Sequence, residues 1–279
     1  MMRYEIVDVF TGRAFTGNPL AVVLDAEDLT TGQMQDIARE FNLSETAFTL
    51  RPSSDEATYR VRIFTPSEEL PYAGHPSIGT AVTLARRGDI PPGEAVQECG
   101  AGMLSVDVDG EFATLTGAAP TIGPEIDAAP LLDAAGLDAA DLAGVPRRAG
   151  TGLEYSYLPV KPDAVAHAVS RPTPDVPEVY LFSYDAERRL AHARLFAPGL
   201  GVAEDPATGS AALGLGVYLA AAGQLPADGV VTYHVAQGVE IKRPSQLECT
   251  VTVTDGAAVS VQVRGQVLPV ARGELVVLP

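Results

Sequence analysis

Arg62-Ile63-Phe64-Thr65-Pro66 leads into Gly74-His75-Pro76-Ser77-Ile78-Gly79, and Arg194-Leu195-Phe196-Ala197-Pro198 leads in the same way into Asp205-Pro206-Ala207-Thr208-Gly209-Ser210. Each copy runs from an apolar segment through a polar loop into a helix rich in small residues. Each is followed by a stop at Gly88 or Gly223 and, later, by alternating strands around Asp109-Gly110 or Asp255-Gly256. A sequence that repeats itself on this scale predicts two like domains facing one another, with chemistry where their loops meet. The domains expected are residues 1–118 and 119–269, with the C-terminal strand 270–279 able to pack back on the first.

Composition is consistent with this reading. The chain has 279 residues, enough for two cores of moderate size, with 46% hydrophobic and 20% charged residues, as in a globular protein. Lys and Arg number 19 against 36 Asp and Glu, a net charge of −17 that repels a nucleic-acid backbone. An anionic substrate then needs a local positive site, which helix N-termini supply through unpaired N–H groups and the helix dipole. Acidic residues interrupt the start of the chain, and no window approaches the ~20 apolar residues of a membrane span. The reading is of a cytoplasmic protein with no membrane partner. Two cysteines, Cys99 and Cys249, make no disulfide framework, and their strand-like surroundings suggest buried small hydrophobes.

Along the chain, Tyr4–Phe10 alternates as a strand, Gly17-Asn18-Pro19 turns, and residues 20–24 return antiparallel. Thr30 or Thr31 caps a helix to about Phe41, with Met34, Ile37, Ala38 and Phe41 on one face. Strands are expected over 46–51 and 59–64, then a helix over about 76–87 with Pro76 in its first turn and Gly88 as its stop. Residues 120–146, rich in Ala, Pro and Asp, read as a linker or excursion with a helical piece near 131–142. A second helix runs from Pro206 or Thr208 to Ala222, apolar nearly all round, as suits a helix inside a ring of strands. The final strands are expected over 257–264 and 275–278. Strands and helices so mixed define an α+β protein.

Candidate chemistry gathers at three places. Glu45, after a helix stop and before Thr46-Ala47-Phe48, is either a solvated turn carboxylate or a proton-transfer base whose apolar neighbours raise its pKa. His75, between Gly74 and Pro76 at a helix mouth, is either a structural imidazole or a ligand-facing one. Asp205 matches it in the second copy and is either a helix cap or its functional counterpart. Gly209, Ser210 and Ala211 would present N–H groups at a helix start, with Gly79 one turn inside the other helix, as a carboxylate cradle or as ordinary small-residue packing. The dispersed His75, His167, His192 and His234, with no HExxH and no CxxC, predict no metal. No phosphate loop is present and Gly150-Thr151-Gly152 lacks a dinucleotide fingerprint, so no nucleotide cofactor is expected.

Asp8-Val9-Phe10 with Gly17-Asn18-Pro19, Asn42-Leu43-Ser44-Glu45-Thr46-Ala47-Phe48, Ala73-Gly74-His75-Pro76, Glu204-Asp205-Pro206-Ala207-Thr208-Gly209-Ser210-Ala211 and Gln237-Gly238 before Arg243-Pro244-Ser245 together resemble the PhzF-like family of phenazine-biosynthesis-related isomerases. The resemblance runs from the first strand nearly to the C-terminus. It implies a diaminopimelate-epimerase-like fold: two similar domains, each a curved, barrel-like antiparallel sheet around a central helix, with the site in the cleft between them. It also implies a homodimer and a cofactor-independent isomerase. The family's acid/base glutamate matches Glu45, and its supporting histidine, aspartate and serine match His75, Asp205 and Ser210, while Asn18, Gly74 and Gly209 join Ser210 as substrate-binding positions. Epimerases and racemases of the wider superfamily oppose two cysteines in the cleft loops; here those loops hold His75 and Asp205, which disfavours a two-thiol mechanism.

The expected reaction is proton transfer between carbons of a small carboxylate-bearing substrate. Its carboxylate would rest on the helix starts, Glu45 would shuttle the proton, and His75 and Asp205 would orient the substrate. Two alternatives stand beside it: an amino- or imino-acid racemase or epimerase with non-thiol bases, and a non-catalytic small-molecule binding protein.

Overall fold

A computed structural model describes residues 2–200 and 202–279. In chain order the elements are β1 (Met2–Val9), β2 (Asn18–Val23), α1 (Thr31–Phe41), β3 (Glu45–Leu50), β4 (Tyr59–Phe64), β5 (Glu69–Leu70), α2 (Gly74–Arg87), β6 (Gly93–Cys99), β7 (Gly102–Asp109) and β8 (Phe112–Thr116). Then come β9 (Pro120–Glu125), α3 (Ala128–Ala135), β10 (Arg147–Thr151), β11 (Leu153–Pro159), α4 (Pro162–His167), β12 (Val179–Asp185), β13 (Leu190–Ala197), β14 (Val202–Asp205), α5 (Gly209–Ala221), β15 (Gly229–Gln237), β16 (Ser245–Thr254) and β17 (Ala257–Leu275). Two compact units result, Met1–Thr116 with Arg264–Pro279, and Gly117–Val263.

In the first unit β1 lies between β2 and the far part of β17, antiparallel to both. The order continues β2, β3, β4, β6, β7, β8, and β8 returns to β17, where the Val267 N–H donates to the Glu111 carbonyl. The strands therefore close on themselves. Helix α2 touches β1, β2, β3, β7 and β8 and is buried from Gly74 to Leu84, so it runs inside that ring. Gly79 makes the fit possible: a Cβ there would lie 2.5 Å from Leu20 Cδ2 and 2.8 Å from Val9 Cγ2. Helix α1 packs outside, started by a reciprocal Thr30–Gln33 cap and stopped at Asn42 in the left-handed region. Its Met34, Ile37 and Ala38 meet Val23, Phe48 and Phe64, and each large apolar side chain so buried contributes roughly 1.5–3 kcal/mol.

The second unit repeats the plan. Its sheet runs β9, β10, β11, β12, β13, β15, β16, and the Gly117 N–H donates to the carbonyl of Val261 at the near part of β17. Helix α5 is buried from Gly209 to Ala220 against β9, β10, β11 and β16. Because it carries no polar face, its contacts are close: a Cβ on Gly214 would lie 2.3 Å from the Tyr157 hydroxyl. Tyr157 and Tyr233 each donate to an α5 carbonyl, of Ala211 and Ala212, both at 2.6 Å.

The sheets are mixed, which corrects the expectation of wholly antiparallel ones. The pairs β2–β3, β4–β6, β11–β12 and β13–β15 are parallel. Each is joined through a helix, respectively α1, α2, α4 and α5, because a parallel return needs a crossover that a tight turn cannot make. Residues 120–146 are no linker either. β9 pairs with β10, and Leu131 and Leu132 of α3 enter a core with Leu158, Val165, Leu181 and Phe196. The helical piece expected over 131–142 is α3 followed, after a left-handed Gly136, by a 3-10 turn at Ala139–Asp141. The strand expected over 257–264 continues as β17 to Leu275, and of the strand expected over 275–278 only Leu275 is in a strand. Gly265 and Gly273, within β17, are close approaches, where a Cβ would lie 2.4 Å from the Phe10 ring and 2.6 Å from the Tyr4 hydroxyl. Among the described residues no helix is long and apolar enough to cross a membrane.

Candidate active site

In the first unit three chain segments bring their ends together. β2 opens with Asn18, β3 opens with Glu45 and runs parallel to β2 with Leu20 opposite Glu45, and α2 opens with Gly74-His75. The close seat of Gly79 on Leu20 and Val9 sets the depth at which His75 arrives. Its Nδ1 lies 3.4 Å from Glu45 Oε2 and 3.4 Å from the Asn18 amide nitrogen. Asn18 is fully buried and His75 is 3% exposed, whereas the Glu45 side chain keeps 17% exposure and so reaches the surface of the site.

Burial pushes the His75 imidazole down to about 3, against the opposing effect of a backbone hydrogen bond to Pro19. The ring is thus neutral near neutral pH, and its contact with Glu45 is not an ion pair. A proline offers only a carbonyl, so the ring nitrogen bonded to Pro19 carries the hydrogen. Nε2 has no hydrogen-bond partner among the described residues, which makes Nδ1 the protonated nitrogen and Nε2 a buried lone pair. This tautomer also suits an ionised Glu45, which only accepts. Carbon-13 NMR of His75 should show no titration between about pH 8 and about pH 5; a midpoint near 6.5 would contradict the burial argument. Between the unfolded value of 6.5 and the folded value of about 3, the unfolded chain takes up a proton that the folded chain refuses. Stability therefore falls as pH falls across that window.

In the second unit β14 ends on Asp205 and the loop Pro206–Thr208 enters α5 at Gly209. Asp205 stands three residues ahead of the N-cap, Thr208, and is not itself the cap. The Thr208 hydroxyl makes no capping bond; it donates to Asp205 Oδ2 at 2.6 Å. Ala73, the N-cap of α2, has no side chain that could cap. Both buried helices therefore begin without side-chain caps, at Gly74-His75 and at Gly209-Ser210-Ala211. Such starts suit an anion. The Ser210 hydroxyl is 2.7 Å from that of Tyr155.

Asn18, Glu45, Gly74 and His75 thus share one place in the first unit, and Asp205, Gly209 and Ser210 another in the second. Tyr155 lies beside Ser210, Thr208 and the buried Gln237 beside Asp205, and the buried Gln97 beside the entrance of α2, positions to which the motifs alone assign no role. For Gln237 a signal existed: Val231, Tyr233, Val235 and Gln237 alternate onto the inner face of β15, and all four are buried. Neither cysteine joins a site. Burial pushes the Cys249 thiol up to about 12, which suits a packed side chain and not a base. Cys99, expected to be buried, is half-buried at the end of β6, where its thiol lies 3.5 Å from the Gly102 carbonyl. Among the described residues no three of His, Cys, Asp and Glu are grouped as a metal ion needs.

The architecture of the units is that of solved structures of the PhzF family. The structure superposes on the Bacillus anthracis phenazine biosynthesis protein of the PhzF family with a TM-score of 0.87, at 28% identity and covering 99% of this chain and 100% of that one. A predicted epimerase from Pseudomonas aeruginosa gives a TM-score of 0.83 at 34% identity, again covering 99% and 100%. In sequence, the trans-2,3-dihydro-3-hydroxyanthranilate isomerase of Pseudomonas aeruginosa is 35% identical over 281 residues, 98% of this chain and 99% of that protein. The family model described as phenazine biosynthesis-like protein matches residues 7–273. The chain belongs to that family, and it is an isomerase of the PhzF type.

Proposed function

We propose that the protein moves a proton between carbons of a small carboxylate-bearing substrate, with Glu45 as the acid/base and without a cofactor. The observation that supports this most is the meeting of Glu45 with a buried, neutral His75 at 3.4 Å. A carboxylate that is partly exposed and flanked by a neutral imidazole can take a proton from a carbon acid and return it at another position. His75 orients a substrate hydroxyl or amine beside Glu45. N–H groups at the start of a buried helix hold the substrate carboxylate and offset the charge that develops on deprotonation. Asp205 orients the substrate, and Asn18 keeps the His75 ring in place. The site works as a cytoplasmic homodimer in this reading.

The relative that acts on trans-2,3-dihydro-3-hydroxyanthranilate makes that compound the first substrate to try. Followed by proton NMR in deuterated water, the reaction should show a shifted double bond with deuterium at one carbon and on one face. Inversion at a single carbon would instead favour the epimerase reading, which the likeness to a predicted epimerase keeps in view. Tight binding of the compound with no exchange at any carbon would point to a binding protein and end the proposal.

A further inference from the structure

Gln237 closes a set of hydrogen bonds around Asp205 that nothing in the reaction scheme above requires. Its Oε1 accepts the Thr208 N–H at 3.3 Å. Its Nε2 donates to the Asp205 carbonyl at 2.9 Å and to the Thr208 hydroxyl oxygen at 3.0 Å. The Thr208 hydroxyl in turn donates to Asp205 Oδ2 at 2.6 Å. A backbone N–H can only donate, so the amide end facing it must be the oxygen, and the amide orientation is set by chemistry. An amide nitrogen brings only hydrogens. It therefore occupies the accepting side of the Thr208 hydroxyl and leaves that hydroxyl's own hydrogen for the carboxylate.

We infer that Gln237 is a positioning residue: through Thr208 it fixes the Asp205 carboxylate in one direction and keeps a hydroxyl hydrogen on it. The inference rests on the reading of Asp205 as part of the proton-transfer site. Burial supports it, because Gln237 has no exposed surface and an amide so placed is costly unless every group is matched. The neighbouring backbone supports it too. Gly238 is in the left-handed region at φ +74, and a Cβ there would lie 2.5 Å from the Pro206 carbonyl, so the strand end is pressed against the same loop.

The first unit holds a counterpart. Gln97 lies near the end of the corresponding strand, β6, which follows the buried helix and pairs in parallel with β4, as β15 pairs with β13. Its Nε2 donates to the Ser77 hydroxyl at 2.8 Å, Ser77 donates to the Ala73 carbonyl at 2.9 Å, and the Tyr59 hydroxyl donates to Gln97 Oε1 at 3.0 Å. Ala73 is the residue that leads into Gly74-His75. Each unit thus ties the entrance of its buried helix, where a site residue lies, to a glutamine on the next strand.

The test compares Gln237→Met, which keeps shape and loses the amide, with Thr208→Val, Thr208→Ser and the Gln237→Met/Thr208→Val double variant. In the ligand-free wild type, NMR should find a slowly exchanging Thr208 hydroxyl proton close to the Gln237 amide protons, and in Gln237→Met that proton should exchange rapidly. With trans-2,3-dihydro-3-hydroxyanthranilate, kcat should fall about tenfold in Gln237→Met and in Thr208→Val with KM within about twofold, Thr208→Ser should retain activity, and the double variant should lose no more than Thr208→Val alone. An unchanged hydroxyl proton in Gln237→Met, or losses that add in the double variant, would overturn the inference. Should Gln237→Met fail to fold, the Thr208→Val and Thr208→Ser pair still decides, since equal activity in both contradicts it. Asp205→Asn separates the two claims. If that variant turns over normally while the Thr208 proton still depends on Gln237, the catalytic reading of Asp205 fails and the positioning stands.

Discussion

Replacing Glu45 with glutamine is expected to lower kcat by about 10²- to 10⁴-fold, the range that one positioned proton-transfer group supplies. Glutamine keeps the size and a hydrogen-bonding oxygen but cannot accept a proton at neutral pH. Because proton transfer occurs only on the way to the transition state, KM should change little and the loss should appear in kcat. The fold should survive: Glu45 begins β3 with its side chain 17% exposed, and the strand is held by Ala47 and Phe48, both fully buried. Steady-state kinetics beside a urea titration separate the two effects. Turnover within about threefold of wild type would remove Glu45 from the mechanism.

Replacing Arg194 with methionine is expected to cost stability, about 3–5 kcal/mol, because it breaks a buried charge pair from one side. Arg194 is 6% exposed and grips Glu204 with two nitrogens, Nε to Oε1 at 2.9 Å and Nη2 to Oε2 at 2.7 Å. Its Nη1 also donates to the carbonyls of Val165 and Ala168 at 3.0 and 2.7 Å, and its guanidinium lies 4.6 Å over the Phe196 ring. Methionine keeps the contact with the ring but leaves a carboxylate and two carbonyls unmatched in a poorly hydrated place. Since Glu204 precedes Asp205 in β14, a weakened pair should also loosen the site loop. The check is the urea midpoint of the intact chain, with Glu204→Gln as a milder companion; a loss below about 1 kcal/mol would mean the pair is solvated.

Much of the plan is legible in the residues. The repeated Arg-x-Phe-x-Pro segments mark β4 and β13, and the small residues after them mark the two buried helices, because only a helix closely covered on all sides needs Gly79 or Gly214 where others would have larger side chains. Glu45, His75 and Asn18 are recognisable through their motifs, although their mutual distance is not, since it depends on the parallel register of β2 on β3. That register is also why the mixed sheets escape notice: alternation reports which face of a strand is buried and says nothing of its neighbour's direction. The continuation of β17 past residue 264 is hard to read for a similar reason. A glycine that ends a strand and one that admits an aromatic ring from a neighbour look alike until the ring is in place. Gln97 and Gln237 are hidden differently, because a glutamine within a strand normally faces water, and only the burial of its i−2 and i−4 neighbours shows the inward face.

The central claim, that Glu45 is the group that takes and returns the proton, is tested most directly by a crystal structure with a small carboxylic acid substrate analogue bound. The acidic carbon should lie about 3–3.5 Å from a Glu45 carboxylate oxygen, with the analogue's carboxylate on N–H groups of a buried helix start. An analogue seated with its acidic carbon beyond hydrogen-bonding reach of Glu45, or facing a different base, would contradict it.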